Sequence, residues 1–307
     1  MRVEEGVLRA RLRAPWVSSR ASLEEVELLL VRVLDTDGLA GHGEASAIGA
    51  PDGKREAALE LARWDLHGRR ERRPLFELLG GQAAPPVEVN ATIARADRAG
   101  AAQEAAAARL AGLRCVKVKV GIGDDSGRLA AVRAAAGPEM AIRIDANGAW
   151  TASEAIASLR ALEPIGIELC EEPTSGVDEI ERVSSLTNVP IAIDESTLLP
   201  GALDHRCCTA ACLKIARGGG IGPVLDAASR AKRAGYEVYL ASSLDGPLGI
   251  AAALHAAAVI KPDRPCGLAT LGFFADREDP MPIHDGRIAV PRGFGLGDGL
   301  VDWYDAF

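Results

Sequence analysis

The spacing of apolar residues changes along the chain. Val7–Arg13 alternates apolar and polar positions, and Val26–Leu34 is a longer apolar run closed by Asp35-Thr36-Asp37-Gly38. The pair predicts an antiparallel hairpin or meander. Glu56–His67 has helical periodicity, with Leu59, Ala62, Trp64 and Leu66 among charged residues. Arg69–Arg73 is expected to break that helix, and Pro74–Leu79 to open a short one before Gly80-Gly81. Residues 1–86 therefore read as a small α+β domain that ends in the linker Ala83-Ala84-Pro85-Pro86.

From Val87 short apolar runs alternate with Ala-rich amphipathic stretches. The predicted strands are Val87–Thr92, Cys115–Val120, Ala141–Asp145, Ile167–Glu171, Ile191–Asp194, Ala211–Ile215, Glu237–Ala241 and Cys266–Ala269. The predicted helices are Ala101–Ala111, Gly127–Ala136, Ser153–Leu162, Val177–Leu186, a weaker one near Leu203, Val224–Ala234 and Ile250–Val259. Strands alternating with helices in this way imply parallel pairing, and eight repeats close naturally as a TIM-like (β/α) barrel over residues 87–275. A doubly wound open sheet is the alternative. Residues 276–307, with one more strand-like piece at Gly286–Val290, are expected to return to the N-terminal domain.

Composition narrows the classes. Of 307 residues, 48% are apolar and 25% charged, which fits a globular protein. The net charge of −8, with no basic block, disfavours a nucleic-acid partner. No apolar run is long enough to span a bilayer, and the charged, alternating N-terminus does not read as a secretory signal. Six cysteines are too few for a disulfide scaffold, so reduced, buried thiols in a cytoplasmic protein are expected. Cys207, Cys208 and Cys212 cluster, but no second ligand pair stands at zinc-finger spacing.

The candidate chemistry sits at the predicted strand ends. Lys119, Asp145, Glu171, Asp194, Lys214 and Ser242 follow one another at intervals of 26, 26, 23, 20 and 28 residues, one βα unit each time. Side chains alternate across a strand, so Lys117 and Lys119 share a face opposite Val116, Val118 and Val120. The same parity puts Cys212 with Lys214, and Ala192 with Asp194. In a barrel these groups meet at the C-terminal mouth. Taken singly, Lys117-Val-Lys-Val120 is an ordinary solvated edge and a strand-end Asp an ordinary helix cap; their recurrence at five consecutive strand ends favours a site. Converging carboxylates repel without a cation, and three oxygen donors suit Mg²⁺. A lysine beside a cation and a second ammonium loses proton affinity and becomes a general base. Parity leaves open whether Glu171 or Glu172 is the ligand.

This set resembles the enolase superfamily, in its muconate-lactonizing subgroup, over most of the chain. The segments that carry the likeness are Lys117-Val-Lys119, Asp145-Ala-Asn147, Glu171-Glu172-Pro173, Asp194-Glu195-Ser196 and Lys214 followed by Gly218-Gly-Gly-Ile221. Gly41-His-Gly-Glu44 and Trp64–Gly68 through Leu78–Gly81 look like the family's N-terminal capping domain. The resemblance implies a modified (β/α)7β barrel, with Asp145, Glu171 and Asp194 as Mg²⁺ ligands and Lys119 and Lys214 as acid/base groups on opposite faces of a small carboxylate substrate. Lys117 would help stabilise the enolate that follows abstraction of the proton alpha to the carboxylate. The mandelate racemase subgroup has a histidine after strand seven, where this chain has Ala241-Ser-Ser-Leu-Asp245. Ser242, Ser243 and Asn147 are candidate substrate-binding residues; Asn147 reads equally well as a cap of the helix after it.

Ser242-Ser243-Leu244 and Cys266–Thr270 look most like o-succinylbenzoate synthases, lyases of menaquinone biosynthesis. N-succinylamino-acid racemase, dipeptide epimerase and muconate-type cycloisomerase are the isomerase alternatives; a non-catalytic barrel that binds or scaffolds is the alternative from another class. Dipeptide epimerases carry an Asp-x-Asp where this chain has Leu268-Ala-Thr270. Two features depart from the family: the segment between Ala47 and Arg55 is short, and the Pro15–Arg20 loop carries Trp16 without a nearby second aromatic. Gly218–Gly220 reads as a flexible mouth loop before it reads as a phosphate cradle, and His255 as a packed helical histidine. A homo-oligomer is compatible with all of this.

Overall fold

A computed structural model describes residues 1–48 and 53–305. Part of the short segment between Ala47 and Arg55 lies outside the described residues. The chain opens with three antiparallel strands, β1 (Arg2–Val17), β2 (Ser22–Leu34) and β3 (Ala40–Ser46). Helix α1 (Lys54–Glu71) covers one face of this sheet, burying Ala57, Ala58, Ala62 and Leu66 against Leu29, Val31 and Val33. The packing explains Gly41 and Gly43 of β3: a Cβ on Gly43 would lie 2.1 Å from the Ala58 carbonyl oxygen, and one on Gly41 2.3 Å from that of Ala62. Contrary to the expected break at Arg69, α1 runs on to Glu71 and ends at Arg72 in left-handed conformation, with Arg69 bonded back to Asp65. A single turn, α2 (Leu75–Leu78), follows.

The second part is a barrel. After β4 (Val87–Glu88), seven parallel strands run in chain order: β5 (Ala91–Ile93), β6 (Cys115–Lys119), β7 (Ala141–Asp145), β8 (Ile167–Glu171), β9 (Ile191–Ile193), β10 (Ala210–Leu213) and β11 (Glu237–Leu240). Parallel bridges from Cys266 to Val89 and from Gly267 to Ala241 close the ring. The eighth stave is thus two bridges, because the chain turns away after Leu268 into a short 3-10 turn at Leu271–Phe273. Helices α3 (Arg98–Leu110), α4 (Asp125–Ala136), α5 (Ala152–Leu162), α6 (Val177–Leu186), α7 (Ile215–Gly218), α8 (Ile221–Ala234) and α9 (Pro247–Ile260) fill the connections. Their starts follow local chemistry. Asp97 caps Gly100, Asp124 caps Gly127, and Thr151 forms a reciprocal box with Glu154. The weak helix expected near Leu203 is a run of turns, and its connection instead holds a 3-10 turn at Glu195–Leu198.

The first predicted barrel strand divides. Val87 and Glu88 pair with β12 (Arg287–Ile288), and only Ala91–Ile93 joins the barrel ladder. The C-terminal stretch also binds the first part: Leu75 N donates to Gly295 O at 2.9 Å, and Leu296 N to the buried Asp65 carboxylate at 2.9 Å. No helix among the described residues is long and apolar enough to cross a membrane.

Candidate active site

The barrel strands carry apolar residues outward against the helices and charged residues inward. Val116 and Val118 of β6 are fully buried in the core, while Lys117 and Lys119 turn to the other face and are themselves only 6% exposed. Lys117 Nζ lies 2.9 Å from Glu171 Oε1 and 3.1 Å from Asp145 Oδ2. Lys119 Nζ lies 2.6 Å from Asp145 Oδ2 and 2.9 Å from Asn147 Oδ1. Across the mouth, Lys214 pairs with Asp194 Oδ2, and Arg217 Nη1 holds Asp194 Oδ1 at 2.9 Å. Three lysines and three carboxylates therefore meet at one end of the barrel.

The electrostatics follow. Burial works to raise the pKa of Asp145, but the ammonium groups of Lys119 and Lys117 outweigh it and hold this carboxylate well below its usual range. Asp194 is lowered in the same way, burial being overcome by Lys214 and Arg217. At Glu171 burial wins over the attraction of Lys117, and the pKa rises. Lys117 and Lys214 are raised, since their carboxylate partners overcome burial. In these pairs the two ammonium groups are stabilised by their carboxylates.

Glu171 and Glu172 part company. Glu171 faces Lys117, and its Oε2 accepts from Tyr239 OH at 2.7 Å. Glu172, at φ +43°, turns away; its carboxylate accepts from Asp194 N at 2.7 Å, Ser196 N at 2.9 Å and Ser196 Oγ at 2.5 Å. Burial pushes the Glu172 pKa up to about 8. Its contacts shape the turn that presents Asp194, and they pin a residue in a backbone region that non-glycine side chains rarely adopt.

Glu171, Asp194 and Cys212 bring one ligand atom each within 4.8 Å of one another, the one group of three His, Cys, Asp or Glu residues that does so among the described residues. Asp145 stands outside that group, drawn toward Lys119 and Lys117. The donor set of three buried carboxylates on adjacent strands fits a hard divalent cation, with Asp145 needing to exchange a lysine contact for it. Cys207 and Cys208 are not part of this group, so no three-cysteine centre forms. All six cysteines are free and buried.

The remaining candidates divide. Asn147 donates its backbone N–H to Asp145 Oδ1 at 3.0 Å and its side-chain amide to Glu195 Oε1 at 3.3 Å. Thr151, not Asn147, caps α5. Ser242 Oγ accepts from Asp245 N at 2.8 Å, whereas Ser243 Oγ is buried with no partner among the described residues. Of the expected Pro15–Arg20 loop, Pro15–Val17 instead end β1, and the turn that follows lies over the mouth: Ser19 Oγ donates to Ala146 O at 2.8 Å, and Arg20 Nε to Asn147 O at 2.7 Å. Trp16 does meet a second aromatic, Phe273, edge to face at 5.0 Å, and Lys119 lies 5.9 Å from its ring. The backbone N–H groups of Ile221 and Gly222, beyond Gly218–Gly220, are taken by Glu60 of α1, each at 2.9 Å, so that helix start is a clamp to the first domain. His255 accepts from Phe76 N and lies 3.2 Å from Leu296 O; burial lowers its pKa to about 4, so it is a neutral packing residue.

Sequence reasoning overlooked Tyr239, Arg217 and Arg143. The parity that found Lys117 and Lys119 would have found Tyr239, which pairs with the inward Cys212. Arg217 lies one helical turn beyond Lys214, a spacing that places both beside Asp194.

Comparison with known proteins agrees with this architecture. The profile described as "Enolase C-terminal domain-like" matches residues 100–301. The o-succinylbenzoate synthase of Mycobacterium tuberculosis is 37% identical over 229 residues, covering 68% of this chain and 67% of that protein. The L-Ala-D/L-Glu epimerase of Clostridium acetobutylicum is 33% identical over 213 residues, covering 66% of this chain; the match spans only 59% of the epimerase. Among solved structures, the muconate lactonizing enzyme of Pseudomonas fluorescens, complexed with muconolactone, superposes with a TM-score of 0.86 at 24% identity, covering 96% of this chain and 95% of that one. The chain belongs to the enolase superfamily, in its muconate-lactonizing subgroup.

Proposed function

We propose that the protein is a Mg²⁺-dependent enzyme that abstracts a proton alpha to a substrate carboxylate, and that it dehydrates a cyclohexadiene carboxylate to o-succinylbenzoate. The observation that carries the reading is the placement of two buried lysines, Lys119 on β6 and Lys214 after β10, on either side of the Asp145, Glu171 and Asp194 carboxylates. Those three residues would hold the cation. When bound, Mg²⁺ supplies positive charge where the enolate oxygen develops.

The chain's own groups do the rest. Lys119 takes the proton from carbon and returns it to the departing hydroxide on the same face. Lys214 contributes positive charge from the other face, and Lys117 steadies the enolate. Lys119 can take that proton only once its contact with Asp145 loosens as cation and substrate arrive, because an ammonium group held by a carboxylate is no base. The unpartnered Ser243 hydroxyl is available to a substrate oxygen, Ser242 shapes the loop that presents it, and Asn147 holds Lys119 in line.

A second reading is racemisation or epimerisation of an acylated amino acid, which uses a base on each face and is favoured by the burial of both lysines. Turnover separates the two. The expected result is formation of the aromatic product from the cyclohexadiene substrate, followed by its ultraviolet absorbance. No product, together with racemisation of an N-succinylamino acid and deuterium uptake in D₂O, would replace the first reading by the second. Lack of proton–deuterium exchange on either substrate class would support the non-catalytic barrel.

A further inference from the structure

Tyr239 lies inside the barrel on β11, in register with Cys212 of β10, and is 1% exposed. The Arg143 guanidinium sits 5.1 Å from the centre of its ring. Arg143 is in turn fixed by Glu168 Oε2 at 2.7 Å and the Pro265 carbonyl at 2.8 Å. The ring is therefore held from below. Its hydroxyl, 2.7 Å from Glu171 Oε2, and Lys117 Nζ, 2.9 Å from Glu171 Oε1, grip both oxygens of one carboxylate from two different strands.

We propose that Tyr239 is a positioning residue for Glu171. It fixes the plane of the carboxylate by occupying Oε2, so that Oε1, held by Lys117, is the oxygen left to exchange its contact for a cation. A neutral donor suits the task, since the mouth already holds three ammonium groups and Arg217, and a further cation would oppose metal binding. A carboxylate already oriented gives up less rotational freedom when it ligates, and loss of such a supporting hydrogen bond typically weakens metal affinity about 10–100-fold. The proposal rests on the reading of Glu171 as a cation ligand.

Calorimetric titration with Mg²⁺, and Mn²⁺ titration followed by electron paramagnetic resonance, test it without substrate. Wild type, Tyr239→Phe and Glu171→Gln are compared, with apo melting temperatures measured alongside. The expected result is a Kd raised about 10-fold or more in Tyr239→Phe and binding abolished in Glu171→Gln. A para-donor at the same place, Tyr239→4-aminophenylalanine, should recover the wild-type Kd, whereas Tyr239→4-cyanophenylalanine, which has no donor, should not. This pair also decides the matter if Tyr239→Phe fails to fold. A merely structural phenol would lower the melting temperature and leave the Kd unchanged. An unchanged Kd in Tyr239→Phe, with binding lost in Glu171→Gln, overturns the proposal and leaves the metal reading standing. Wild-type binding in Glu171→Gln overturns both.

Discussion

The two ends of the barrel each hold a cluster of paired charge, and the two clusters are built differently. At the floor, Arg143 and Arg264 share Glu168, and Arg264 also holds Glu237. The floor carboxylates keep contact with water, with side chains 28% and 43% exposed. At the mouth the carboxylates are 0–1% exposed, and two of them have two cations each: Lys117 and Lys119 on Asp145, Lys214 and Arg217 on Asp194. Burying charge so completely costs more than pairing returns in most cores. The floor minimises that cost with wet carboxylates and fixed pairs. The mouth accepts it and gives Asp145 and Asp194 two cations each, so that under the proposed function one lysine contact can be traded for a ligand while the other cation remains.

This contrast makes its strongest prediction for the mouth lysines. Lys119→Met should lower substrate proton–deuterium exchange by about 10²–10⁴, the usual weight of a general acid or base, and Lys214→Met should lower it by about 10²–10³ through loss of positive charge beside the enolate. Folding should survive, because Asp145 keeps Lys117 and Asp194 keeps Arg217. Thermal denaturation measured beside exchange checks both halves. Collapse of stability with exchange intact would make the mouth a second structural floor.

Glu44 sharpens the comparison, being a buried acid with no cation paired to it among the described residues. It stands on β3 where the first domain meets α9, accepting from Gly249 N at 2.7 Å and Tyr304 OH at 2.6 Å. Burial, with the neighbouring Asp245 charge, pushes its pKa up to about 8. The folded protein therefore holds this proton more tightly than the unfolded chain, whose glutamates titrate near 4.5. The resulting stability is present in full below that value and is lost as pH rises through about 8. Glu44→Gln keeps the shape and removes the titration, so its stability should fall less between pH 5 and 8 than that of wild type. The difference in slope should approach about 1 kcal/mol per pH unit. Parallel denaturation profiles would show that Glu44 is ionised in the fold.

Cation binding should act on the mouth alone. Mg²⁺ at about 100 times its Kd should stabilise the wild type by about 2.7 kcal/mol relative to a chelator-treated sample. Asp194→Asn should lose most of that increment. An equal thermal shift in wild type and variant would place the ion elsewhere.

The sequence made some of this legible and hid the rest for physical reasons. Strands β6, β7 and β8 are buried on both faces, so their apolar runs stand out, and the charged residues that interrupt them fall at one barrel end. β3 escaped notice because Ala40–Ser46 carries two glycines and no β-branched residue; its composition answers to the close approach of α1. The first barrel strand was misread because Val87-Glu88 pairs with Arg287-Ile288, about two hundred residues away, and nothing local marks such a partner. Glu171 and Glu172 were indistinguishable by alternation alone, since the backbone reverses its hand at Glu172. Asp145 with Lys119 was legible as a meeting place, but not that Lys117 bridges Asp145 and Glu171.

The smallest expected effect belongs to the floor. Arg264 is 16% exposed at its side chain and joins Glu168 of β8 to Glu237 of β11. Replacing it with methionine removes both contacts, yet Glu168 keeps Arg143 and Glu237 is wet enough to be solvated. The loss should be about 1–2 kcal/mol, between that of an exposed pair and that of a broken buried one. Turnover and the Mg²⁺ Kd should stay at wild-type values, because the ion pairs of Arg264 among the described residues are with Glu168 and Glu237 at the floor. High salt should narrow the stability gap between Arg264→Met and wild type, since partly exposed pairs are screened. If turnover fell with stability preserved, the link that Arg143 and Tyr239 make between floor and mouth would extend to Arg264, and Arg264 could not be counted as purely structural.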